Sequence, residues 1–259
     1  NTGGTVTIAS GSNTGTINML SGGNGTDLYI ASPVTLVGAG SLVMSNNTEN
    51  RIFDGSGDRG FAFTNRSTIA GSGQIGLNTL DIANEPTGTI AAIGAAGLYI
   101  DPGHWMTNNG TLRADPGSRL EFLHAAYTFT SPAVAMDGGL IAFNGGSYTG
   151  TIDTQGAGVC RVISHGGSTV FSDVTNLGQL ELLNDHDLYL VNTFNNQGQV
   201  DLRSSGNATD LYIGSNVSFT GGGTISMTNS GGNQIFDPSG DRGFTLTNVD
   251  NTFSGAGRF

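Results

Sequence analysis

Lysine is missing from this 259-residue chain: all nine cations are arginine, set against twenty acidic residues for a net charge of −11. Such an acidic surface repels phosphate backbones and anionic lipid surfaces, which argues against nucleic-acid partners and membrane-surface binding. Charged residues make up 11% of the chain, less than half the usual share, so charge-rich disorder is not expected. Cys160 is the lone cysteine, which rules out an intrachain disulfide and a cysteine-based metal cluster. Six prolines are too few for a proline-rich linker. No run of about 18 apolar residues occurs, so no membrane span is expected. Nor does a charged-then-apolar segment open the chain, so no signal peptide is expected within these residues.

What fills the space is glycine, 43 of them, with serine, threonine and asparagine. Glycine and asparagine tolerate positive φ, so their abundance predicts many tight turns. A long repeat underlies the chain. Residues 26–65 match 209–248 at 23 of 40 positions without a gap, including TDLYI in both and FDGSGDRGF against FDPSGDRGF. The repeat is about 183 residues long; 1–75 returns as 184–259 and the second copy stops mid-pattern, which reads as part of a longer tandem array. A finer pulse of glycine, one variable residue and an apolar residue recurs, as in GTI (15–17), GTI (88–90), GQL (178–180) and GTI (223–225). Short alternating stretches follow each glycine, a strand signal. The best helical candidate, 89–100, carries two interior glycines, each costing about 1 kcal/mol in a helix.

Two architectures build many short strands: an antiparallel sandwich or barrel, and a solenoid of stacked parallel coils. Coils of roughly 20–25 residues with three strands each suit the pulse, and corner loops can swell without disturbing the stack. The expected fold is therefore all-β, a right-handed parallel β-helix of roughly 10–12 coils forming a single continuous domain. The runs FTNRSTIAGSGQIG (63–76), LTNVDNTFSGAGRF (246–259) and TGTIAAIGAAGLYIDPGHWMTNNGTLRA (87–114) resemble the repeats of large secreted bacterial β-strand-repeat proteins, the filamentous-haemagglutinin-like and autotransporter-like adhesins. That resemblance implies a secreted parallel β-helix serving as a stalk, fibre or adhesive surface.

Candidate chemistry is sparse. Asp54, Ser56 and Asp58, and again Asp237, Ser239 and Asp241, place oxygen ligands at i, i+2 and i+4, a spacing that folds around calcium. Arg59 and Arg242 stand where a calcium loop has glycine, and no acid falls at position twelve. The competing reading is a turn recurring at one corner, its Asp paired with Arg and its Phe residues plugging the core. His104 and Trp105 form a possible sugar contact. A carbohydrate-active groove would gather Asp101, His104, Trp105, Asp115, Glu121 and Asp137. In NDHD (184–187), strand alternation would put Asp185 and Asp187 on one face and His186 on the other. His124, Tyr127 and Phe129 read as core or inter-coil packing, Cys160 as a small buried residue. Asn46, Asn47, Asn50, Asn229 and Asn233 predict one corner lined with amide ladders. The leading expectation is a structural or adhesive extracellular module on the bacterial surface, not an enzyme, without a cofactor unless calcium binds. Its partners would be further repeats or subunits stacked end to end, and glycans. The alternative is a polysaccharide lyase, hydrolase or tailspike-like glycan binder.

Overall fold

The computed structural model describes residues 4–8, 11–56, 60–165, 169–240 and 243–259. Among them there is no helix. All 29 strands join one parallel hydrogen-bonded ladder, wound into a β-solenoid of about eleven turns. Each turn lays down three strands, one on each of three faces. Face A carries Thr26–Ile30, Asn50–Phe53 and Arg119–Leu123, and face B carries Phe61–Asn65, Leu80–Asn84 and Trp105–Asn108. Face C carries Ser41–Met44, Thr68–Gly71 and Thr89–Ala92. In the middle of the rod, long strands such as Ala126–Ala135 and Gly146–Thr154 bend across the B–C corner and serve both faces. The segment with helical promise, 89–100, splits into strands Thr89–Ala92 and Leu98–Ile100 around Gly94 and Gly97, both at positive φ.

Alternation decides what is inside. Along Leu80–Asn84 the pattern is buried, half-buried, buried, half-buried, buried, and the inward Leu80 and Ile82 are wholly shielded. Burying each such side chain contributes about 1.5–3 kcal/mol. The thickest part of the core is aromatic: Phe122, Tyr127, Phe129, Phe143, Tyr148 and Phe171 pack at centroid distances of 4.8 to 6.2 Å. The two phenols find backbone partners, Tyr127 donating to Leu123 O at 2.7 Å and Tyr148 to Gly145 O at 2.5 Å. Of the three residues read as packing, Tyr127 and Phe129 are core, whereas His124 is exposed at a corner with φ of 32°. Cys160 is fully buried, and burial pushes its thiol pKa far up.

Asparagine seals the corners, at more than one of them. Asn65 Nδ2 donates to Asn84 Oδ1 at 2.9 Å, and Asn84 Nδ2 donates to Asn108 Oδ1 at 2.7 Å, a ladder at the end of face B. A second ladder joins Asn176 to Asn196 at the end of face C. The expectation of a single asparagine corner is thus corrected. Glycine of the GTI pulse has a related cause. A Cβ on Gly88 would strike the carbonyl of Asn65 and the amide of Asn84 in the coils it joins.

The long repeat does not return to the same face. The first-copy strands Thr26–Ile30, Val34–Val37 and Ser41–Met44 lie on faces A, B and C. Their second-copy counterparts Thr209–Ile213, Val217–Thr220 and Thr224–Met227 lie on B, C and A. From Thr16–Met19 to its counterpart at the start of Gln199–Arg203 there are 25 strand positions, which at three per turn is eight and one third turns. Local wiring survives the rotation. Asn50, on the A side, takes the N–H of Ser21 and donates to Ser45, Asn47 and Ser72 carbonyls. Asn233, one face further round, takes the N–H of Ser204 and donates to Thr228, Ser230 and Ala256.

Candidate functional site

The two FD-x-SG phrases follow strands on different faces: Asn50–Phe53 lies on face A, and residues 233–236 of Thr224–Phe236 lie on face B. They are therefore not one corner met twice. In each, an Asx turn fixes the start. Asp54 Oδ1 accepts the Ser56 N–H and hydroxyl, both at 2.7 Å, and Asp237 Oδ1 accepts those of Ser239 at 2.8 and 2.6 Å. The Asp237 carboxyl is held below the usual range, first by the Ser239 hydroxyl and N–H, then by the backbone of Phe244 and Gly243. Oδ2 of both Asp54 and Asp237 is shielded and lacks a hydrogen-bond partner among the described residues. Asp58, Arg59, Asp241 and Arg242, on which the calcium expectation and the Asp–Arg pairing partly rest, lie outside the described residues. Among the described residues no group of three or more His, Cys, Asp or Glu is arranged to hold a metal ion. The loop phenylalanines do not plug the core: Phe53 stands half-buried on the outside against Tyr29 at 4.8 Å, Phe236 and Phe244 are exposed, and Phe61 packs only at the core edge. Gly55 does not have positive φ, which explains why Pro238 can replace it.

The described residues of each phrase instead line a cleft. The first is lined by Tyr29, Phe61, Asp54 and Ser56 and holds about 180 Å³. The second is lined by Tyr189, Phe244, Asp237 and Ser239, with Val170 and Val191 as floor, and holds about 340 Å³.

His104 and Trp105 open a face-B strand, with Asp81 of the preceding coil accepting from the His104 N–H at 3.0 Å and the Trp105 N–H at 3.3 Å. The other acids of the expected groove are not brought there. Glu121 lies on face A, buried between Arg119 and Asn144. Asp115 pairs with Arg113 after a face-C strand, and Asp137 caps the Ala157 N–H at the same C–A corner. Only Asp101 shares the A–B corner with His104.

NDHD does not alternate, because Asp185 has φ of 70° and the strand begins at Asp187. Asp185 is exposed, Asp187 is 9% exposed, and the His186 ring lies tilted against that of His165 at 4.4 Å. Asp187 sits directly beneath Asp210 in the parallel register. In the first copy, Asp27 is gripped by Arg51 through Nε at 2.7 Å and Nη2 at 2.8 Å. The second copy replaces Arg51 with Gln234, so Asp210 loses that cation and gains a carboxylate neighbour. Burial, opposed by a hydrogen bond from Tyr212 and joined by the Asp187 charge, raises the Asp210 pKa.

One feature escaped sequence reasoning. Trp105, Ala126, Ser147, Val170, Tyr189, Tyr212 and Phe236 are successive partners in a single outward row of face B. Their spacing of 19 to 24 residues was the available signal, but the turns vary in length and only the register aligns them. No family model, curated protein or solved structure matches the chain.

Proposed function

We propose that the chain is a structural and adhesive segment of an extracellular bacterial β-helical fibre, in keeping with the adhesin-like repeats noted in its sequence. The observation that carries this reading is the one-third-turn offset of the repeat. A phrase that folds on faces A, B, C in one copy and on B, C, A in the other belongs to an architecture that lengthens by adding coils, with neither placement privileged. Backbone bonding between coils gives such a rod stiffness, and its faces and corner loops present surface. Each coil bonds to the next through the same parallel ladder, so a further coil of the same kind, in this chain or another, extends it.

Negative-stain microscopy of the purified chain over a range of concentrations tests this, alongside adhesion of protein-coated beads to glycan-coated surfaces. Rods joining end to end, with bead adhesion, are expected. Monodisperse rods on beads that adhere to nothing would overturn it. The enzymatic alternative is the weaker reading, because Asp115, Glu121 and Asp137 do not share a groove with Trp105.

A further inference from the structure

We infer that face B carries a binding track for an uncharged polysaccharide, running along the rod from Trp105 to the cleft bounded by Tyr189, Asp237 and Phe244. The inference rests on the adhesive reading and gives it a ligand class.

The track has a floor and two aromatic ends. Ala126 and Ser147 are exposed and small, and with Val170 they form a shallow strip three coils long. At one end stands Trp105, 38% exposed. At the other, Val170 leads to Tyr189 and into the cleft of about 340 Å³, whose opposite wall is Phe244, 44% exposed. That volume falls in the range of small-molecule sites, which combine apolar walls with a few placed polar groups. Here the polar groups are Asp237 and Ser239 at the rim.

Three observations select the ligand. First, the row advances one coil, about 4.8 Å, per residue. A linked hexopyranose unit has about that length, so successive sugars meet successive coils. Second, a pyranose offers an apolar ring face and a rim of hydroxyls. Aromatic rings take the first. Beside the floor runs a hydroxyl rank, Thr107, Thr128 and Thr149, paired coil to coil, to take the second. Third, the flanking charges include Asp81, Asp187, Asp210 and Asp237, and Arg258 lies on the neighbouring row beyond Gln234. Polyanionic glycans are repelled by that arrangement, and an uncharged chain is not.

Trp105 is the only tryptophan, so its fluorescence reports on the track directly. Titration of the full chain with cellohexaose, an uncharged β-linked probe, is expected to change Trp105 emission saturably, while oligogalacturonate of equal length does not. Phe244→Ala is expected to weaken the response by roughly tenfold, and Ser147→Arg to abolish it by blocking the floor. Both variants keep the circular dichroism and melting temperature of the parent, since both positions are exposed. Equal binding of oligogalacturonate would overturn the inference, as would a response untouched by either variant. An emission change that depends only on protein concentration would also overturn it, by making a second copy the occupant. If the sugar gives no response while coated beads still adhere, the track falls and the adhesive reading stands. If adhesion and filaments are lacking too, both fall.

Discussion

One phrase, TDLYI, occurs twice and places its aspartate in opposite electrostatic settings. Asp27 faces Arg51, whereas Asp210 stacks over Asp187 with Tyr212 as its hydroxyl donor. Asp27→Asn should therefore destabilise, by about 1 kcal/mol for a partly exposed pair, and Asp210→Asn should stabilise at neutral pH. Because the folded chain holds the Asp210 proton more tightly than the unfolded chain does, stability falls as pH rises through the raised folded value. Urea melts from pH 4 to 8 check this: the slope contributed by Asp210 should vanish in Asp210→Asn, and a parallel curve would refute it. Sequence alone could not separate the two aspartates, since the deciding neighbours, Arg51 and Asp187, come from other coils. The calcium expectation is put to the test at this scale as well. With Asp54 and Asp237 already bound to their own serines, chelator dialysis should leave the melting temperature unchanged. A rise on adding calcium would assign the buried Oδ2 atoms to the cation instead.

The single coil was legible in the sequence, and its corners only partly so. Period-two alternation identified strands such as Gln179–Leu183, and interior glycines rightly spoke against a helix at 89–100. Asparagine was recognised as a corner residue, but the ladder runs through Asn65, Asn84 and Asn108, because amide pairing depends on which turn ends line up. Asn84→Ala orphans the buried Asn108 Oδ1 acceptor and leaves Asn65 Nδ2 with Thr89 O as its remaining partner. It should cost about 1–3 kcal/mol for the orphaned group, read as a lowered urea midpoint. Gly88→Ala should likewise destabilise, because its Cβ meets the backbone carbonyl of Asn65, which has no rotamer to yield. A neutral result at Gly88 would show that the corner relaxes.

At the scale of the whole rod, stability should be graded, since each coil contacts only its neighbours. Hydrogen exchange is expected to be slowest around Phe122, Phe143 and Tyr148 and fastest in Gly4–Ile8, whose side chains are mostly exposed. Uniform protection would mean the solenoid opens as one unit. The repeat was plain from sequence, yet its rotation by a third of a turn was not, because 183 residues is no whole number of coils of varying length. That rotation and the face-B row both rest on the parallel register. Spin labels at positions 105 and 236, in a Cys160→Ala background, test it most directly by double electron–electron resonance. Six coils separate these partners, so one narrow distribution is expected for a backbone separation of about 29 Å; a broad distribution, or one far from six coil rises, would contradict the row and the solenoid register with it.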